Sequence, residues 1–268
     1  MVQRLLIIGC GNMGGAMLAG WLAAGEDPAR FEVLDPALKA APDGVRLYRD
    51  PAEAGGHDAV MLGFKPQQLG ALGPGLQGVT GSGVAVTSLL AGITLDQLKA
   101  AFPEAPAHVR VMPNLAARIG KSPVILAESG LEAGGRDAAF ALFDRLGSAV
   151  WLEDETQFDL VTALAGSGPG FVYRYIDALA GAACELGLDR SSADDLALTM
   201  VEGAAALAAG ADDTPGQLAD NVASPGGMTR EGLNVLDRED VLVRLLTETL
   251  RATRDRGAEL SRSSGTDG

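Results

Sequence analysis

The stretch Gly9-Cys10-Gly11-Asn12-Met13-Gly14 limits the possible folds of this chain more than any other, because of what flanks it. Four apolar residues, Leu5-Leu6-Ile7-Ile8, come before it, and a helical pattern from Met13 to Ala24, closed by Gly25, comes after. A strand turning at once into a helix needs a free backbone at the first glycine and close packing at the third. The second glycine lets the backbone approach a pyrophosphate, whose charge the helix N-terminus favours. The spacing alone is a weak signal. A strand before it, a helix after it and an acid, Asp35, closing the next strand-like run together make it a dinucleotide-binding turn. A tight turn without a ligand is the plainer alternative, and Asp35 before Pro36 can simply start a turn.

The pattern of short apolar runs separated by helical stretches continues through the first half. Strands are predicted at Arg4 to Ile8, Phe31 to Leu34, Val45 to Tyr48, Asp58 to Phe64, Val84 to Leu90, His108 to Met112, Pro123 to Leu126 and Ala149 to Leu152. Between them, Thr94 to Phe102 reads as a helix with Thr94 and Gln97 as its capping box. Apolar strands alternating with helices predict an α/β fold with a doubly wound parallel sheet. Beyond about Glu155 only helical spacing remains, as in Phe171, Tyr175, Leu179, Ala182 and Leu186. Helix starts are read at Ser192 with Asp195, at Thr214 before Pro215, and at Asp240 before a periodic run to Leu260. The expected division is therefore residues 1–155 and an all-helical 156–268, with a disordered tail from about 261.

At 268 residues and 47% hydrophobic, the chain can bury a core without staples, and the length prior of ~150 residues per domain fits two domains. Cys10 and Cys184, with only His57 and His108 beside them, suit neither a disulfide framework nor a metal site, so both read as buried thiols and no metal is expected. A net charge of -14 disfavours nucleic acid as a partner. Leu5 to Gly25 is uncharged, but its glycines break the apolar run far short of a signal core or a membrane span. Leu160 to Tyr173, also uncharged, reads as a core segment. The expectation is a cytoplasmic protein that contacts no membrane.

Ligands of parallel sheets bind outside the carboxyl ends of the strands. Those ends carry Lys65-Pro66, Ala91-Gly92 and Met112-Pro113-Asn114. Lys65 can pair with a cofactor or a neighbouring acid, and the Asn114 amide suits a nicotinamide carboxamide. The plain alternatives are strand-terminating prolines and solvated loops. In the second half, Gly166-Ser167-Gly168-Pro169-Gly170 and Ser224-Pro225-Gly226-Gly227-Met228-Thr229 interrupt helical patterns at a cost of roughly 1 kcal/mol per interior Gly and 3 for Pro. The second of these precedes a helix from Thr229 to Leu236, so its backbone N–H groups form an anion site sized for a carboxylate. An interhelical loop capped by Ser224 or Thr229 is the competing reading.

Taken together, Gly9 to Gly14, Lys65-Pro66, Met112-Pro113-Asn114, Leu164 to Pro169 and Leu218 to Gly227 with Thr229 resemble the pyrroline-5-carboxylate reductase family in order and spacing, from Val2 to about Leu260. The resemblance implies a Rossmann domain followed by a helical dimerisation domain, and a homodimer or higher homo-oligomer. It also implies reduction of the small molecule pyrroline-5-carboxylate to proline with NADPH or NADH, at a site between the cofactor and the helical domain. Gly9, Gly11, Asn12, Met13, Gly14, Asp35, Lys65, Pro66, Ala91, Gly92 and Asn114 would then serve the cofactor, and Ser224 to Thr229 the substrate. Thr229 would be the catalytic hydroxyl, orienting the imine nitrogen. Leu115-Ala116, Met228 and Gly170 depart from the usual family residues. Asp35 departs too, and as a carboxylate facing ribose hydroxyls it favours NADH over a 2′-phosphate.

Two other readings remain. Hydroxyacid dehydrogenases of similar plan carry a lysine and an asparagine where this chain has Val172 and Ile176, and without them alcohol oxidation loses its acid–base group. A non-enzymatic dinucleotide sensor is the third.

Overall fold

A computed structural model describes residues 3–81 and 83–263, with side chains to 259. The predicted disordered tail lies outside them from 264 onward, and the last helix runs through 261–263. All eight predicted strands are present: β1 (Leu5–Ile8), β2 (Phe31–Leu34), β3 (Arg46–Tyr48), β4 (Ala59–Leu62), β5 (Ala85–Ser88), β6 (His108–Met112), β7 (Ser122–Ser129) and β8 (Gly147–Trp151). They form one sheet in the order β3-β2-β1-β4-β5-β6-β7-β8. The chain winds outward from β1 in both directions, so the crevice between β1 and β4 is the switch point of a doubly wound sheet. A parallel sheet is expected, and one pairing departs from it. β7 runs antiparallel to β6, with Met112 opposite Ile125. Only residues 113–121 join the two strands, and they form a short 3-10 turn, Leu115–Ile119, closed by Gly120. A parallel return needs a crossover of about a dozen residues.

Alternation sends neighbouring side chains to opposite faces, and both faces are covered. Leu5, Ile7, Val33, Met61 and Val109 pack on one side beneath α1 (Asn12–Ala23), and Leu6, Ile8, Leu34, Val60 and Val86 on the other. Trp21 of α1 stacks on Phe31 at 5.1 Å between centroids and donates Nε1–H to the Leu142 carbonyl at 2.8 Å. After the short α2 (Leu69–Leu72), α3 (Leu95–Ala101) carries the expected capping box, with Gln97 N 3.2 Å from Thr94 Oγ1. α4 (Ala133–Asp144) and α5 (Phe158–Val161) follow, and α5 runs directly into a π-helical turn, Thr162–Gly166.

The helices beyond it are α6 (Gly168–Glu185), α7 (Arg190–Ala209), α8 (Pro215–Asn221), α9 (Met228–Asp237) and α10 (Val241–Ser263). α7 is capped by Asp189, which accepts from Ser192 N, and not by Ser192 as expected. The carboxylate three residues earlier takes the N–H of Ser192 itself, so the helix begins about one turn sooner. Thr214 caps α8 as read. Contacts divide the chain into one unit of residues up to Ser167 together with those from Ala252 on, and a second of Gly168–Arg251. The expected break at 155 therefore moves, because Phe158 is fully buried with Leu95, Ile125 and Ala127 of the sheet unit. The Leu160 to Tyr173 segment is less buried than expected: Leu164 is 61% and Tyr173 68% exposed. Among the described residues no helix is long and apolar enough to cross a membrane.

Candidate active site

The sheet unit gathers the first set of expected residues at the carboxyl edge. Gly9 has φ +86°, and a Cβ there would lie 2.9 Å from Phe64 N. A Cβ on Gly63 would in turn meet the Gly9 carbonyl at 2.4 Å, so the ends of β1 and β4 share one narrow space. The third glycine of the motif is also packed, since a Cβ on Gly14 would be 3.0 Å from the Gly9 carbonyl. Around Gly11 the protein leaves space open, with nothing within 4 Å of its Cβ position. Nothing in the fold therefore demands glycine at 11, as expected of a residue that must admit a ligand. Gly11 is the N-cap of α1 and offers no side chain to the first turn, which also lacks an acid, and Asn12 is exposed. These residues fit a pyrophosphate: backbone donors, a helix N-terminus and free space above the second glycine.

Asp35 is tied to this turn. Its Oδ2 accepts from Cys10 N at 2.9 Å, and its Oδ1 from Ala37 N at 2.8 Å and Leu38 N at 3.1 Å. The carboxylate thus caps the segment after Pro36 while staying beside the glycines. Cys10 is buried, and burial reinforced by the Asp35 charge pushes its thiol up to about 11. One cation escaped the sequence reading. Arg49, just after β3, donates to the Asp35 carbonyl at 2.6 Å and the Lys39 carbonyl at 3.3 Å, so it approaches the rim more closely than sequence distance suggests.

Lys65 is exposed, has no ion-pair partner among the described residues, and precedes a 3-10 turn that begins at Pro66. Ala91 and Gly92 line a cavity of about 490 Å³ within the sheet unit. Asp159, Thr162, Ala163 and Ser167 line it too, with Thr253 and Arg256 of α10. The Thr162 hydroxyl oxygen is buried and has no hydrogen-bond partner among the described residues. Asn114, by contrast, is buried, and both ends of its amide engage the protein: Oδ1 accepts from Ala116 N at 2.9 Å and Nδ2 donates to the Ala165 carbonyl at 3.0 Å.

Arg110 was also missed, although an arginine in the apolar run His108 to Met112 signals a paired charge. Its guanidinium is buried, 2.7 Å from Glu155 Oε1, 4.0 Å from Asp159 Oδ1 and 3.8 Å above the Phe158 ring. Glu155 also accepts from Leu95 N. Burial lowers the Arg110 pKa, and the Glu155 hydrogen bond and charge oppose that. This network fastens the start of the helical segment to the sheet, since an unpaired buried charge costs several kcal/mol.

The second set lies in the helical unit. Ser224 to Gly227 is a tight turn with Gly227 N 2.9 Å from the Ser224 carbonyl and Gly226 at φ +69°. Gly227 is the N-cap of α9, so neither Ser224 nor Thr229 caps it; the cap makes no side-chain hydrogen bond, and the first turn carries one acid, Glu231. A Cβ on Gly227 would stand 2.6 Å from Ser224 Oγ. Pro225, Met228 and Thr229 are exposed.

Comparisons with known proteins cover both units of the chain. Residues 155–260 match the family model described as pyrroline-5-carboxylate reductase dimerisation. The chain is 35% identical to the pyrroline-5-carboxylate reductase of Methanosarcina acetivorans, over 97% of this chain and 98% of that one. The solved pyrroline-5-carboxylate reductase structure from Coxiella burnetii superposes with a TM-score of 0.90 at 29% identity, covering 97% of this chain and 99% of that one. The pyrroline carboxylate reductase structure from Plasmodium falciparum, solved with NADP bound, shares the fold at a TM-score of 0.83 and 24% identity, covering 96% and 98%. Fold, turn geometry and near-complete coverage converge: the chain belongs to the pyrroline-5-carboxylate reductase family.

Proposed function

We propose that this chain reduces the small cyclic imine pyrroline-5-carboxylate to proline with NADH or NADPH. The reading is carried by two glycine turns in one chain, Gly9 to Gly14 and Ser224 to Gly227, each opening a helix whose N-cap is a glycine without a side-chain cap hydrogen bond. The first suits a pyrophosphate and the second a carboxylate. Family membership supports the pairing. The cofactor, when bound, supplies hydride; Gly9, Gly11, Asn12, Met13, Gly14, Lys65, Pro66, Ala91 and Gly92 hold and orient it. Backbone N–H groups of the Ser224 to Thr229 turn hold the ring carboxylate, apart from Pro225, which has none, and Gly227, whose N–H donates to the Ser224 carbonyl. The imine binds protonated, so its carbon is already electrophilic, and the Thr229 hydroxyl orients the nitrogen. Catalysis rests on alignment and needs no strong base.

Oxidation of the reduced cofactor with pyrroline-5-carboxylate tests this, and no turnover with either cofactor overturns it. Thr229→Val is expected to lower turnover at least about tenfold with cofactor affinity unchanged, as for a lost transition-state hydrogen bond. A wild-type rate and Michaelis constant in that variant would remove Thr229 from the site. The finer reading is that NADH serves at least as well as NADPH, because the Asp35 carboxylate stands beside the glycine turn and repels a 2′-phosphate. Asp35→Ser should shift the ratio of specificity constants toward NADPH, and a strong native NADPH preference would sink this assignment.

The chain is also proposed to act as a homodimer or a larger homo-oligomer. Leu196, Leu198, Met200 and Leu207 of α7 and Val243 and Leu245 of α10 are between 47% and 76% exposed. A second copy of the helical unit is the proposed cover.

A further inference from the structure

The π-helical turn Thr162–Gly166 has a weakness written into its sequence. In an α-helix the Ala165 carbonyl would accept the N–H of the residue four places on, and that residue is Pro169, which has none. Asn114 Nδ2 donates to this carbonyl at 3.0 Å. The amide is held on both sides: Oδ1 accepts from Ala116 N at 2.9 Å, and the backbone N–H donates to Ser122 Oγ at 2.9 Å. The end of β6 presses on the same turn, since a Cβ on Gly166 would lie 3.4 Å from Met112 Cγ. On its other side the turn supplies Thr162, Ala163 and Ser167 to the cavity that Ala91 and Gly92 enter. Turns of this kind recur at functional sites because they re-aim the residues around them.

We infer that Asn114 is a positioning residue that replaces the hydrogen-bond donor missing at Pro169, and so fixes the cavity wall formed by Thr162, Ala163 and Ser167. Its role is to shape that cavity and not to hold the nicotinamide carboxamide. The inference rests on the proposed imine reduction for its kinetic readout, and it has a second readout that does not. Asn114→Ser keeps an oxygen for Ala116 N and is too short to reach Ala165. It is expected to lower kcat/KM for pyrroline-5-carboxylate about tenfold, as for an unsatisfied buried acceptor, and to leave the dissociation constants of NADH and NADPH within about twofold of wild type. Pro169→Ala returns an N–H to the helix, so the Asn114→Ser/Pro169→Ala pair should recover most of the lost kcat/KM and most of the lost thermal stability. Equal loss of cofactor affinity, or effects of the two changes that simply add, would overturn the inference. If the single variant does not fold, a folded double variant supports it and an unfolded one refutes it. A wild-type protein with no turnover would remove the proposed reaction, and the coupling measured by unfolding would still decide the role of Asn114.

Discussion

The two units of this chain are made from similar proportions of apolar residues and use them in opposite ways. In the sheet unit, Trp21, Phe31, Phe102, Met61 and Leu98 are buried to within 2% of complete exclusion from solvent. In the helical unit, the side chains buried between α6 and α7 are Ala180, Ala193 and Ala197, while Leu198 and Leu207 remain open. The first unit buries its large side chains in a core of its own and leaves open only a few, such as Ile119 and Leu164; the second leaves most of its large side chains open. At ~25 cal/mol per Å² of apolar surface, alanines alone cannot offset the entropy of ordering five helices. Helical periodicity is thus a sign of local structure, not of a completed fold.

That contrast can be broken experimentally. The largest effect is expected from Leu198→Asp with Leu207→Asp. Each charge placed in a dry interface costs about 2 kcal/mol or more, and the cost counts twice in a two-fold dimer, so association should weaken by at least ~1,000-fold. Sedimentation should show smaller species with a less stable helical unit, and an unchanged assembly would show that α7 faces solvent in the working protein. Next in size is Trp21→Ala. It should cost about 3–5 kcal/mol by unfolding, with little dependence on protein concentration, because Trp21 packs wholly within one chain. A strongly concentration-dependent loss would mean that the sheet unit also leans on a partner. The smallest effect is chemical. Cys10 is buried with its thiol pushed up to about 11, so near pH 8 it stays protonated and should resist alkylation, while half-buried Cys184 reacts first. Mass spectrometry of partly alkylated protein reads the order, and Cys10 reacting first would contradict the burial described.

How much could be read in advance follows the same line. β1, β2 and β6 were legible to within a residue because each is a compact apolar run, and Thr94 with Gln97 because a capping box is local in sequence. The reversal of β7 was not, although the nine residues between Met112 and Ser122 were there to count; apolar runs say nothing of direction. Arg49 beside Asp35, Glu155 beneath Arg110 and Asn114 bonded to Ala165 lie 14, 45 and 51 residues apart. No spacing rule reaches that far. Of the candidate site, the glycine turns were legible because their chemistry is backbone chemistry, and the braces behind them were not, because they join distant segments.

The shared space between Gly9 and Gly63 has a consequence for how such a chain can change over time. A methyl group on either residue would strike backbone on the other strand, at 2.9 Å in one direction and 2.4 Å in the other. Backbone cannot step aside as a side chain does, so neither position can compensate for the other, and the floor of the crevice is closed to mutational drift. Asp35 and Arg49 stand at its rim, held by hydrogen bonds and not by colliding backbone. On the proposed reading of Asp35, descendants of this chain can exchange one nicotinamide cofactor for the other by small steps at the rim, while the turn beneath is inherited intact.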